Sequence, residues 1–205
     1  MTFRRFLLCG FAVAALAASA PRASASVEPA RAGGELLAEA WAQALSGGTA
    51  ESSGGCTHIA RDVLVSHPDD ALSSRCRLSS DERLFVMFGS FCISTEDPEL
   101  DTREEQLACA VASDQAIEQL TVTVDGRRVD IHRPRFELFS PQREVLLSPQ
   151  NVLATFTAHA WGAVVTDLCP GRHTIVLAVV ATAWGAPPDS PIILTTTLLI
   201  HRGNR

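Results

Sequence analysis

The sequence of 205 residues predicts a mainly β fold: an antiparallel β-sandwich, immunoglobulin-like or jelly-roll-like, with a short N-terminal helix and one inserted helix. Three observations predict it. Most apolar residues fall in short runs rich in Val, Ile, Thr and Phe, broken by Gly, Pro, Asp and Ser at roughly regular spacing. Residues 168–201 read as one long closing hairpin. Five cysteines follow an export-type leader, which marks a disulfide framework.

The elements follow in chain order. Residues 1–25 read as a secretory signal peptide, with Arg4 and Arg5 at its start, an apolar stretch at 6–18 and Ala23-Ser24-Ala25 as a small-residue cleavage site. Arg4-Arg5 before Phe6-Leu7 leaves both the general and the twin-arginine export routes open. Residues 26–55 form a flexible segment carrying a short helix at 35–45, where Leu37, Trp41 and Leu45 share one stripe and Gly47-Gly48 ends it. Residues 56–205 make up the disulfide-bonded sandwich domain.

Within that domain residues 59–66 alternate as a first strand, and 76–78 are a short second piece. Residues 84–91 (LFVMFGSF) are a dense apolar strand whose Gly89 marks a bulge or a close backbone approach. Thr102 and Glu105 form a capping box, so a helix is expected from 103 to 118, with Leu107, Cys109, Ala110, Val111 and Ile117 as its apolar positions. Strands at 120–124 and 128–131 flank the Asp125-Gly126 turn as a hairpin. Residues 135–139 and 144–147 flank Ser140-Pro141, and 154–166 is a long strand interrupted by Gly162. In the closing hairpin, Ile175, Leu177, Val179 and Ala181 share one face of the first strand. Ile192, Leu194, Thr196, Leu198 and Ile200 share one face of the second. Pro187, Pro188 and Pro191 confine the break to a loop.

The charge balance narrows the function. Loss of Arg4, Arg5 and Arg22 with the leader takes the net charge from −6 to −9. So acidic a chain is a poor binder of nucleic acid. No segment after the signal is an uninterrupted match for a transmembrane span. No G-x-S-x-G elbow or H-E-x-x-H occurs, and no catalytic residue is assigned. Cys56 with His58 lacks the return pair that a zinc site needs. The acids Asp97, Glu99 and Asp101 are the nearest approach to a calcium site. They lack an EF-hand-like glycine and also suit a helix N-terminus, so no metal is assigned and calcium stays an alternative. His159 and Trp161, on one face of their strand, and Trp184, at the closing hairpin's tip, are the candidate binding-surface residues.

Cys56, Cys76, Cys92, Cys109 and Cys169 leave one cysteine over, and any remaining four allow three connectivities, so composition does not choose among them. The chain resembles a family of exported bacterial β-sandwich proteins of unassigned function. The resemblance rests on Trp41 before the first cysteine, on Cys56, Cys76, Cys92 and Cys109 around the Phe-rich strand and the following helix, and on Val124-Asp125-Gly126. It continues through Arg135-Phe136 with Ser140-Pro141, Asn151, Trp161-Gly162, and Pro170-Gly171 with His173-Thr174. Cys169 has no counterpart in that pattern, and the stretch between Cys56 and Cys76 is more polar than the pattern. With that resemblance, the expected pairs are Cys56–Cys76 and Cys92–Cys109, the second tying the Phe-rich strand to the helix. The leading expectation is an exported non-enzymatic binding, adhesion or structural module, whose partner is an unknown extracellular ligand or protein. The alternatives are a hydrolase of an extracellular polymer and a calcium-stabilised structural module.

Overall fold

The computed structural model describes residues 25–47, 55–66, 72–95, 100–182 and 191–201. The expected signal peptide, Trp184, Asp97 and Glu99 lie outside these residues. In chain order the elements are β1 (Ser26–Pro29), α1 (Gly33–Leu45), β2 (Cys56–Ala60), β3 (Val63–Ser66), β4 (Ser73–Ser79), β5 (Arg83–Ile93) and α2 (Arg103–Asp114). They continue with β6 (Ile117–Val124), β7 (Arg127–Asp130), a 3-10 turn (Pro134–Phe136), β8 (Glu137–Phe139), β9 (Arg143–Leu147), β10 (Val152–Thr166), β11 (Gly171–Ala181) and β12 (Ile192–His201).

The strands form the two layers of a sandwich. The larger sheet runs β1-β10-β5-β3-β2, with β8 and β9 also paired to β10; the smaller runs β4-β12-β11-β6-β7. The sandwich is as expected, and its strand pairing is mixed where the sequence predicts an antiparallel one. β3 pairs with β5 and β4 with β12 in parallel, and the other pairs are antiparallel. The cause is the path of the chain. It leaves the larger sheet after β3, crosses to the other layer as β4 and returns as β5, so β5 re-enters in the direction of β3.

Leu84 and Val86 on β5, Ala163 and Val165 on β10, and Val122, Ile175, Val179 and Leu198 from the smaller sheet fill the space between layers. The opposite face of the larger sheet is covered by α1, whose Leu37 and Ala40 pack on Phe85, Ala158 and Ala160. Small residues on β10 let the helix come close. Gly162 belongs to this logic: a Cβ there would lie 2.7 Å from Leu138 Cδ1 and 2.8 Å from the Phe85 ring, and β10 runs through it without interruption. Gly89 is a close approach and not a bulge. Its register against Ala160 is unbroken, and a Cβ would overlap the His159 carbonyl oxygen.

Three local expectations differ from the structure. The strand at 59–66 is a hairpin, because Asp62 takes the Arg83 guanidinium at 2.7 Å and its carbonyl accepts from Arg83 N–H at 2.8 Å, holding a turn that residue alternation does not mark. The helix at 103–118 stops at Asp114, since Ile117 is drawn into the core opposite Ala181. The turn that the sequence sets at Ser140-Pro141, between 135–139 and 144–147, is absent. β8 and β9 lie end to end along β10, with Pro141 between them. Ser140 bridges the gap: its N–H donates to the Ala158 carbonyl at 3.0 Å and its Oγ accepts from Ala158 N–H at 2.8 Å.

Both expected disulfides are present. Cys56–Cys76 joins β2 to β4, so it crosses from one sheet to the other, with Cα atoms 5.3 Å apart. Cys92–Cys109 clamps α2 to β5 at 6.0 Å. Cys169 is in neither bond; its carbonyl accepts from His173 Nε2 at 2.7 Å. The Asp125-Gly126 turn and the start of β11 are also stapled. Asp125 takes Thr174 N–H at 2.9 Å on one oxygen and His173 Nδ1 at 2.5 Å on the other. Among the described residues, no helix is long and apolar enough to cross a membrane.

Candidate functional site

Where α2 leaves off covering the larger sheet's inner face and the smaller sheet begins, the chain buries a polar cluster. On α2 the stripe turned inward is Gln106, Ala110 and Asp114, at i, i+4 and i+8. It meets Ser90 on β5 and Thr155, Thr157 and His159 on β10. Gln106 Nε2 donates to the Leu100 and Thr155 carbonyls at 2.8 and 3.0 Å, and its Oε1 accepts from Thr157 Oγ1 at 3.0 Å. Each buried polar atom of this helix face has an assigned partner, which is what its burial demands.

His159 is the centre of the cluster. It is 1% exposed. Nδ1 lies 2.7 Å from Asp114 Oδ2, and Nε2 lies 3.1 Å from Glu137 Oε1 on β8. Asp114 is buried too, and accepts from Ser90 Oγ at 2.6 Å and Ser90 N–H at 3.1 Å. A neutral imidazole carries one N–H; only the imidazolium donates to both carboxylates. Burial by itself disfavours that charge. The hydrogen bonds to Asp114 and then Glu137 outweigh it, and the His159 pKa is raised above its ordinary value. His173 is raised in the same sense: burial opposes, while Asp125 and the Cys169 carbonyl prevail.

These shifts give a pH prediction. In the unfolded chain each histidine titrates near its ordinary value of about 6.5. The folded chain holds the protons to higher pH, so the stabilisation is complete below about pH 6.5 and is lost as pH rises through the raised values. The melting temperature followed by circular dichroism is therefore expected to fall above neutrality, and to fall less in His159→Gln. A melting temperature that stays level or climbs over that range would contradict the assignment.

Ser90 Oγ donates to Asp114 Oδ1 and not to the imidazole, so the direct serine–histidine hydrogen bond of a Ser-His-Asp triad is not made among these residues. Among the described residues no three His, Cys, Asp or Glu side chains gather as a metal would require. Asp101 is exposed, and its carbonyl accepts from Gln142 Nε2 at 3.0 Å.

The sequence expectation of His159 as a surface residue is corrected: its neighbours α2 and β8 enclose it. Trp161 is half-buried, with its ring 4.8 Å from His159 and 4.5 Å from His132. His132 in turn lines an open groove of about 530 Å³ on the solvent side of the smaller sheet, with Glu118, Gln119, Thr121, Arg128, Asp130 and Arg133. A second groove of about 250 Å³ continues it over Thr123, Ala178 and Val180. Register accounts for this surface. Thr195, Val176, Thr123 and Arg128 stand in one row across four strands, and Ile193, Ala178, Thr121 and Asp130 in the next.

The sequence reading missed Asp114, Gln106 and Glu137. Polar residues on a helix or edge strand read as solvated, and only the match of a polar helix stripe to Thr155-x-Thr157-x-His159 could have exposed them. It also missed the groove, whose residues come from separate strands.

The fold and its core define a two-layer β-sandwich with one helix packed on each face of its larger sheet. No protein-family model and no curated protein matches the chain. Among solved structures it is similar to amebosin, at 12% identity over 68% of this chain and 96% of that one, with a TM-score of 0.25. It is also similar to the cysteine protease inhibitor EhICP2 from Entamoeba histolytica, at 10% identity over 62% and 86%, with a TM-score of 0.26. Both likenesses are distant.

Proposed function

We propose that this chain is an exported, non-enzymatic binding module that holds an extracellular ligand on the solvent face of its smaller sheet. One observation carries the reading. The larger sheet is covered on both faces, whereas among the described residues no element packs on the outer face of β4-β12-β11-β6-β7, where polar and aliphatic side chains line two continuous grooves. The larger groove, about 530 Å³, is of the size that ligand clefts have. The buried Ser90–Asp114–His159–Glu137 chain then serves as a brace: through Trp161 and His132 it supports one wall of the groove. The two disulfides suit an oxidising compartment outside the cell. The resemblance to exported bacterial sandwich proteins belongs to the same reading.

The test is retention of the chain, with residues 1–25 removed, on insoluble extracellular polysaccharides, with reducing ends measured in parallel. Retention without new reducing ends is expected, and Thr123→Arg, which fills the groove's centre, should reduce it about tenfold or more. Release of reducing ends that disappears in His159→Gln would replace this reading with that of a polymer hydrolase.

A further inference from the structure

One corner of the same open face has an unusual charge. Register places Arg77 of β4 beside Leu199 of β12, and Leu199 beside Arg172 of β11. In the next row Arg75 lies beside Thr197, and Thr197 beside Thr174. Alternation puts all six side chains on the solvent side, since Cys76, Leu78, Leu198 and Ile175 between them point into the core. Strands about 4.8 Å apart bring the stems of Arg77 and Arg172 to within roughly 10 Å. All three arginines are exposed, and among the described residues none has an acidic partner. Of the acids nearby, Asp125 borders the corner at Thr174 but is taken by His173 and by the Thr174 N–H; Asp130 and Glu118 lie at the other end, and Asp130 is engaged by Arg133 at 2.7 Å.

A chain with six more acids than bases could neutralise such a corner easily. Among the described residues these like charges gather without a counter-ion, which costs stability. A ligand that supplies the anions resolves the cost.

We infer that the Arg75/Arg77/Arg172 corner binds an acidic polysaccharide, with guanidinium groups on the sugar carboxylates, Thr174 and Thr197 hydroxyls on ring hydroxyls, and Leu199 against a pyranose C–H face. This rests on the binding reading above and names its ligand class. Guanidinium forks fit carboxylates in bidentate fashion. An acidic peptide fits less well. Anchoring a peptide calls for aromatic hot spots, and this corner has no aromatic side chain among its six residues.

The experiment measures binding of the full mature chain to immobilised polygalacturonate, neutral dextran and poly-L-glutamate. Retention on polygalacturonate alone is expected. It should vanish in about 1 M NaCl, where the Debye length is only about 3 Å. Arg75→Ala/Arg77→Ala/Arg172→Ala should weaken it by about tenfold for each guanidinium contact that is lost, the worth of one charge-assisted contact. Arg61→Ala/Arg135→Ala, remote from this face, should bind as the parent does, and an unchanged melting temperature in both variants shows that folding is intact. Wild-type affinity in the triple variant, or equal binding to poly-L-glutamate, overturns the inference. Dextran retained while polygalacturonate is not overturns it and leaves the binding reading standing. Retention on none of the three overturns both.

Discussion

Asp114→Ala is expected to cost about 3–5 kcal/mol of folding stability. The side chain is fully buried, and it accepts from three donors: Ser90 N–H, Ser90 Oγ and His159 Nδ1. Removing it strands a buried imidazole whose remaining acceptor, Glu137, is partly solvated. Unpaired buried charge, more than the lost attraction, sets the size of the effect. His159 would respond by giving up its proton, which limits the loss but leaves one ring nitrogen and the Ser90 hydroxyl unsatisfied. Urea unfolding should show the midpoint falling at constant slope. The companion variant Asp114→Leu/His159→Leu should recover a good part of the loss, because it removes both partners of the pair and leaves apolar groups of comparable volume. A single-variant change within about 0.5 kcal/mol would mean that the cluster is more hydrated than its burial implies.

Breaking either disulfide should cost about 3 kcal/mol, the chain-entropy value for closing loops with sequence separations of 20 and 17 residues. Against a typical domain stability of roughly 5–15 kcal/mol that is a large share. The two bonds act at different places. Cys56–Cys76 ties the two sheets together at the crossing from β2 and β3 to β4, so Cys56→Ser/Cys76→Ser should loosen the contact between layers. Cys92–Cys109 holds α2 over the polar cluster, so Cys92→Ser/Cys109→Ser should also expose Gln106 and Asp114. Hydrogen exchange separates them: the second variant should lose protection in α2 well before the sheets. A non-reducing peptide map in which Cys56 is recovered alkylated would remove the first expectation, and one in which Cys92 is recovered alkylated would remove the second.

Much of the framework can be read in the amino-acid order, because it depends on neighbours. The capping box of Thr102 and Glu105 forms as written, with Glu105 Oε2 accepting from Thr102 N–H at 3.0 Å. Asp125 and Gly126 take the left-handed conformations their turn requires, at φ 48° and 88°. The closing hairpin alternates as expected, with Ile175, Val179, Leu198 and Ile200 inside and Ile193 and Leu199 outside. Period-two burial is written locally, so it survives whatever the strand packs against.

The candidate site is another matter. Asp114 reads as one more acid on a polar helix, and becomes a buried partner only because β5 and β10 place Ser90 and His159 beneath it. Arg75, Arg77 and Arg172 are ordinary surface residues until β4 pairs in parallel with β12 and β12 with β11. Turns, caps and strand faces depend on interactions a few residues apart, which a linear order states outright. Parallel pairing, the buried imidazolium and the arginine corner depend on which strands become neighbours across long separations, and only the packing of two layers against each other decides that.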